Sequence, residues 1–218
     1  MKFLSLILLL FTIILTSCKD KVEPGSRVER LPYYDEATFT PKWLNTDDFI
    51  LDTLHSIPSF SLINQDGDTI NERTFENKIY VTDFFFTICP GICPKMTANM
   101  AIIQDEFLSD SEVLLLSHSV TPNRDSVPVL KEYALSKGIQ SNKWHLATGD
   151  QGEIYELGRK AYFIEEDLGM EKDIDEFLHT ENFVLIDKNK HIRGIYNGLN
   201  KAAVRQLITD IKTLKEEF

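Results

Sequence analysis

Three cysteines, ten glycines and eight prolines are all that the 218 residues hold of the types that build disulfide scaffolds, collagens and low-complexity chains. Those classes are excluded. Positive charge is scarce as well: 23 Lys and Arg stand against 34 Asp and Glu, for a formal net charge of −11. A nucleic-acid binder draws its affinity from neutralising phosphates, so no nucleic-acid partner is expected. No internal repeat is present. The apolar run at the amino end, Phe3 to Leu15, is broken only by Ser5 and Thr12. It is shorter than the roughly 20 apolar residues that a spanning helix needs. What is there, 43% hydrophobic residues over this length, suffices for one domain with a real core.

The amino-terminal run follows Lys2 and ends in Leu15-Thr16-Ser17-Cys18, with charge beginning at Lys19. Its length suits the h-region of a signal peptide. Its end resembles the bacterial lipoprotein box, in which the cysteine is lipidated and the peptide before it removed. A plain signal peptide with an incidental Cys18 is the alternative. The resulting division is a lipoprotein signal peptide over 1–17, a polar tether over 18–30 and a folded domain over 31–218. The resemblance implies a chain of the cell envelope, lipid-anchored to a membrane and facing the periplasm. That compartment is oxidising, so a pair of free thiols in it needs a chemical reason.

Beyond the tether, Leu31 to Trp43 is rich in aromatics and is expected to pack on the domain. Phe60 to Ile63 reads as a strand entering an Asp66-Gly67 turn. Ile79 to Phe86 is a nearly continuous apolar strand interrupted by Asp83, and Val113 to Leu116 is a second one. Met96, Met100, Ile103 and Phe107 recur at helical spacing. Asp125-Ser126-Val127-Pro128 opens a further helix with a capping residue, and Gly138 closes it. Trp144 to Ala147 is a short strand, and Asp150 caps a short helix. Phe183 to Ile186 and Ile192 to Tyr196 form a hairpin, after which Asn200 caps a last helix carrying Val204, Leu207, Ile208, Ile211 and Leu214. The predicted class is α/β, with a mainly parallel central sheet and helices on both faces. The closing hairpin and helix resemble the end of a thioredoxin-like fold.

Cys89-Pro90-Gly91-Ile92-Cys93-Pro94 joins the strand to the helix of Met96. Proline is tolerated only in a helix's first turn, so Pro94 fixes the helix start. Both thiols then lie at or just before a helix amino terminus, where unpaired N–H groups favour thiolate. Thiolate attacks disulfides and also binds metal. Residues four apart on a helix have Cβ atoms about 5–6 Å apart, against the roughly 3.5–4.5 Å of a relaxed disulfide. The spacing suits a shared soft ion more easily, without excluding thiol exchange.

Two thiolates leave a metal under-coordinated. His179 precedes the hairpin strand, in a loop that a thioredoxin-like fold places across from the cysteine loop, and is the chosen third ligand. His118, in Ser117-His118-Ser119, is a lesser candidate, while His55, His145 and His191 read as structural. Two thiolates and an imidazole select Cu(I) or Zn. Three ligands without a fourth suit copper that arrives and leaves better than a closed zinc site.

With these residues the chain resembles the Sco/SenC family, thioredoxin-like proteins that deliver copper to cytochrome c oxidase. The resemblance rests on Cys89 to Pro94 with Thr87 before it, and on His179. Ser119-Val120-Thr121-Pro122-Asn123-Arg124-Asp125 and Arg193 to Gly198 add to it. It implies a copper ion held by Cys89, Cys93 and His179. The implied partner is cytochrome c oxidase subunit II or another copper protein. Gly91 stands where many members carry an acid, Thr121 where an Asp is usual, and many relatives have a transmembrane helix instead of a lipid. The alternative function is a membrane-anchored thiol–disulfide oxidoreductase using Cys89 and Cys93 to reduce partner cysteines. A peroxiredoxin-like peroxidase is weaker, since Arg124 is a distant activator. Glu165 to Glu176, with seven acids and Met170 among them, reads as a solvated loop, with partner docking and thioether contact to copper as the sharper reading. Asp83 is expected to be a hydrogen-bonded structural acid or a tuner of the site.

Overall fold

The computed structural model describes residues 28–45, 51–164, 178 and 180–218. Strands β3 (Ile79–Phe85) and β4 (Val113–Ser119) are buried along their whole length. Runs of aliphatic and aromatic residues take this form when both sheet faces are covered. They pair in parallel, from Ile79 opposite Val113 to Phe85 opposite Ser119. β5 (Trp144–Ala147) extends the sheet in parallel on β4. β6 (Asn182–Ile186) pairs antiparallel to β3, and β7 (Ile192–Asn197) antiparallel to β6. The order is β5-β4-β3-β6-β7, and β6 alone runs against the common direction. A small hairpin, β1 (Ser61–Ile63) and β2 (Thr69–Asn71), turns at Gly67 with φ 87°.

Side chains alternate along each strand, which splits the core in two. Ile79, Val81 and Phe85 face helices α1 (Cys93–Glu106), α2 (Val127–Lys137) and α4 (Lys201–Glu216). Tyr80 and Phe84 face the opposite side, against the β1–β2 hairpin, the short helix α3 (Gln151–Glu156) and a π-helical turn over Leu157–Ala161. The expected stripe is in place: Met96, Met100 and Ile103 are wholly inaccessible. Asp150 caps α3 and Asn200 caps α4, their side chains accepting from Glu153 N–H at 2.9 Å and Ala202 N–H at 2.8 Å. Each such cap is worth about 1 kcal/mol. At α2 the expectation is corrected: Ser126 holds the cap position without a side-chain bond, and the acid beside it, Asp125, is turned inward to Thr87, Ser119 and Thr121.

Leu31 and Tyr33 are buried, and Tyr33 and Tyr34 make bridges to Lys42 and Ile192. This segment packs on the domain as expected, except that Trp43 is 61% exposed. β3, β4 and β5 end at one edge of the sheet, and β6 begins there. Functional loops of open α/β sheets gather at such an edge.

Candidate metal centre

The chain leaves β3 at Phe85, and the N–H of Cys89 turns back to donate to Phe86 O at 3.3 Å. Helix α1 then starts at Cys93, with Ile92 as N-cap, Pro94 in its first turn and no side-chain cap. A helix end leaves N–H groups without partners. Here the Cys89 sulfur receives them, from Cys93, Gly91 and Ile92, together with a hydrogen bond from the Cys93 thiol. Partial burial works to raise the Cys89 pKa, but these donors outweigh it and the thiol falls below its ordinary value. Burial pushes Cys93 up to about 12, and donation to Cys89 acts in the same direction. Cys89 is half-buried and Cys93 is 4% exposed; neither is in a disulfide. The half-buried sulfur therefore gives up its proton more readily than an ordinary thiol, and the buried one beneath it holds its own.

Asp83 and Tyr133 complete the surroundings. Asp83 is buried, accepts from the Ser117 hydroxyl, and its charge is felt at Cys93. Burial drives its carboxyl up to about 7, against the lowering effect of Ser117. Trp144 Nε1 donates to the same Ser117 oxygen at 2.8 Å. The Tyr133 hydroxyl lies 2.8 Å from Thr97 Oγ1, and its ring centroid is 5.5 Å from that of Phe85. Burial raises its pKa to about 12, with Asp83, Cys93 and Cys89 adding to the effect. Sequence reading missed Tyr133, which sits among ordinary helix-face residues and carries no local signal.

His118 is a correction. It lies on the other face of the sheet from Cys93, stacked on Phe84 at 4.6 Å with Nδ1 3.1 Å from Thr82 Oγ1. His55 reaches Ala161 O at 2.7 Å, His145 lies 3.5 Å from Asn64 Nδ2, and His191 is 3.8 Å from Asp187, all in structural settings. Cys18, His179, Met170 and the acidic run 165–176 lie outside the described residues. Among the described residues no cluster of three His, Cys, Asp or Glu forms a ready metal site. Two adjacent sulfurs, one of them with a lowered pKa, fit a soft cation or a partner disulfide. Arg124 is exposed, and the donors that lower Cys89 are thiol and amide groups, which leaves the peroxidase reading without its activating cation.

Residues 51–216 match the SCO1/SenC family. The chain belongs to that family. A SCO1/SenC family lipoprotein from Bacillus anthracis, known as a crystal structure, is 28% identical with a TM-score of 0.62, over 74% of this chain and 95% of that one. BsSco, a Sco-family cytochrome c oxidase assembly protein with an identified disulfide switch, is 26% identical with a TM-score of 0.61, over 73% and 93%. The Arabidopsis thaliana ScoI crystal structure, with copper bound, is 27% identical with a TM-score of 0.56, over 73% and 98%. The SCO1/SenC fold is thus thioredoxin-like here too, as expected from the order of elements.

Proposed function

We propose that this chain is a copper-binding metallochaperone that assists assembly of the binuclear copper site of cytochrome c oxidase. Cys89, Cys93 and His179 are its copper ligands. The observation that carries the reading is the cysteine pair itself: a half-buried Cys89 sulfur that accepts N–H groups at the start of α1 and a hydrogen bond from the Cys93 thiol. Copper bound to the Arabidopsis relative and the oxidase-assembly role of the BsSco family support the choice of cargo. Support for His179 comes from its chain neighbours. Leu178 is wholly buried, and β6 begins four residues later at the sheet edge where β3 ends. A lipid on Cys18, holding the domain at a membrane of the cell envelope and facing the periplasm, completes the proposal; the Bacillus anthracis relative is a lipoprotein.

A second reading has its own observation. One activated thiol beside one protonated thiol is the arrangement of an attacking and a resolving cysteine, and BsSco carries a disulfide switch. The experiment is metal analysis and copper titration of the anaerobically purified protein, with Cys89→Ser and His179→Ala beside it. Stoichiometric copper is expected in the wild type and its loss in both variants, while His179→Ala keeps its exchange with a small disulfide. Unchanged copper affinity in His179→Ala removes that ligand. A wild type that binds no copper leaves the oxidoreductase reading in its place.

A further inference from the structure

Asp125 is completely buried, and its carboxylate accepts four hydrogen bonds. The Thr87 hydroxyl reaches Oδ1 at 2.5 Å, and the Thr87 N–H reaches Oδ2 at 3.2 Å. The hydroxyls of Ser119 and Thr121 reach Oδ2 at 2.6 and 3.1 Å. A buried acid short of donors is costly, and hydrogen bonds to a carboxylate are about twice as strong as neutral ones. The four donors come from two segments far apart in the chain. Ser119 and Thr121 are held independently of the acid: Ser119 sits in β4 opposite Phe85, Val120 N–H donates to Phe85 O at 2.9 Å, and Thr121 N–H donates to Ser119 Oγ at 3.1 Å. Thr87 lies past the end of β3 and two residues before Cys89, and both its polar donors go to Asp125.

We propose that Asp125 is the positioning residue of the cysteine loop. By anchoring Thr87 to the end of β4 through two hydrogen bonds, it sets where Cys89 meets the start of α1, while touching neither sulfur. This rests on the reading of Cys89 as the working thiol. Partners one step removed from a metal ligand tune affinity by on the order of 10–100-fold.

The test compares Asp125→Ala, Asp125→Asn, Thr87→Val and Ser119→Ala. Three quantities are read: melting temperature, the iodoacetamide alkylation rate of Cys89 in the metal-free protein, and copper affinity by competition with a chromophoric chelator. Thr87→Val is expected to melt close to wild type. It should change the alkylation rate at least about tenfold and weaken copper by on the order of 10-fold or more. Asp125→Ala goes further, and Asp125→Asn, which keeps one accepting oxygen, restores part of the loss. Ser119→Ala removes one of the two hydroxyls that hold Asp125 at the end of β4 but leaves Thr121 and both Thr87 bonds, so both readouts should move in the same direction and clearly less than in Thr87→Val. Equal effects in Ser119→Ala and Thr87→Val, or none in Thr87→Val, overturn the proposal. If Asp125→Ala does not fold, Thr87→Val decides. Should the wild type bind no copper, the copper reading fails and the alkylation rates still judge Asp125.

Discussion

Asp83 is an acid in a strand otherwise made of hydrocarbon, and the physics of its proton follows from that setting. Its carboxyl rises from 3.8 to about 7 because burial penalises the charge, a penalty only partly offset by Ser117. Below about pH 4 the folded and unfolded chains both hold this proton. Between there and about pH 7 only the folded chain does, so stability falls as pH rises through that window and the loss is complete above it. His118 works the other way. Burial lowers its imidazole from 6.5 to about 3, with Asp83's main chain opposing, so stability rises with pH between those values. The two slopes oppose each other over mildly acidic pH. Asp83→Asn removes one of them. Against wild type, the variant should gain stability between about pH 5 and about pH 8, by on the order of a few kcal/mol. Urea midpoints of both proteins at the two pH values measure it. A difference that stays constant means Asp83 is already ionised throughout. That Asp83 would be buried was legible, since it interrupts an apolar run. The face occupied by His118 was not, because a strand buried on both faces shows no alternation that would reveal which way each residue points.

At the scale of elements, the helices and strands with a clear period were readable, and the connections between them were not. Helix α1 follows its four-residue apolar rhythm, and β5 falls on Trp144–Ala147 as read. The π-helical turn after α3 leaves no such mark, because what sets it is contact with distant chain. Gly158 lies in this turn. A Cβ there would meet Leu178 Cδ2 at 2.6 Å, with Ile164 Cδ1 and Phe84 Cε1 both at 3.2 Å. Leu178 is wholly buried, so its side chain has no solvent to swing into. In Gly158→Ala, better helix propensity offers up to about 1 kcal/mol, while crowding of a packed core costs about 1–3 kcal/mol. Crowding wins, and the variant should be less stable by about 1–2 kcal/mol in chemical denaturation. A double-mutant cycle with Leu178→Ala isolates the cause, because shortening the leucine should relieve the crowding and make the two changes non-additive. Strict additivity would show that Leu178 is not what fills the space over Gly158.

For the whole molecule, what the sequence could not show is how remote segments meet. Cys89 and Cys93 were legible from their prolines and their place between strand and helix, which are local features. Asp125 read as part of a helix cap, because the Thr87 that claims it is 38 residues away. Arg193 is a further case of the same kind. It is 1% exposed in a chain of net charge −11. Its Nε donates to Pro32 O at 3.1 Å, its Nη1 to Asp187 at 3.1 Å, and its Nη2 to Leu31 O at 2.6 Å and Glu217 at 2.5 Å. The guanidinium also lies 4.0 Å over the Tyr33 ring. One side chain thus ties the amino-terminal segment, the β6–β7 turn and the carboxyl end of the last helix into a single body. Only a planar fork of donors can serve all of these, which a lysine ammonium cannot. Arg193→Met would leave Asp187 and Glu217 without their shared cation, a change that costs about 3–5 kcal/mol when a buried pair is broken. Arg193→Lys should fall between that and wild type, since it keeps the charge and loses the fork. Because the lost bonds to Leu31 and Pro32 hold the segment 28–45 in place, limited proteolysis should cut there in Arg193→Met before the sheet unfolds. If the segment resists protease as in wild type while global stability drops, Tyr34 holds it through its bridge to Ile192, and the arginine's role is confined to the two acids.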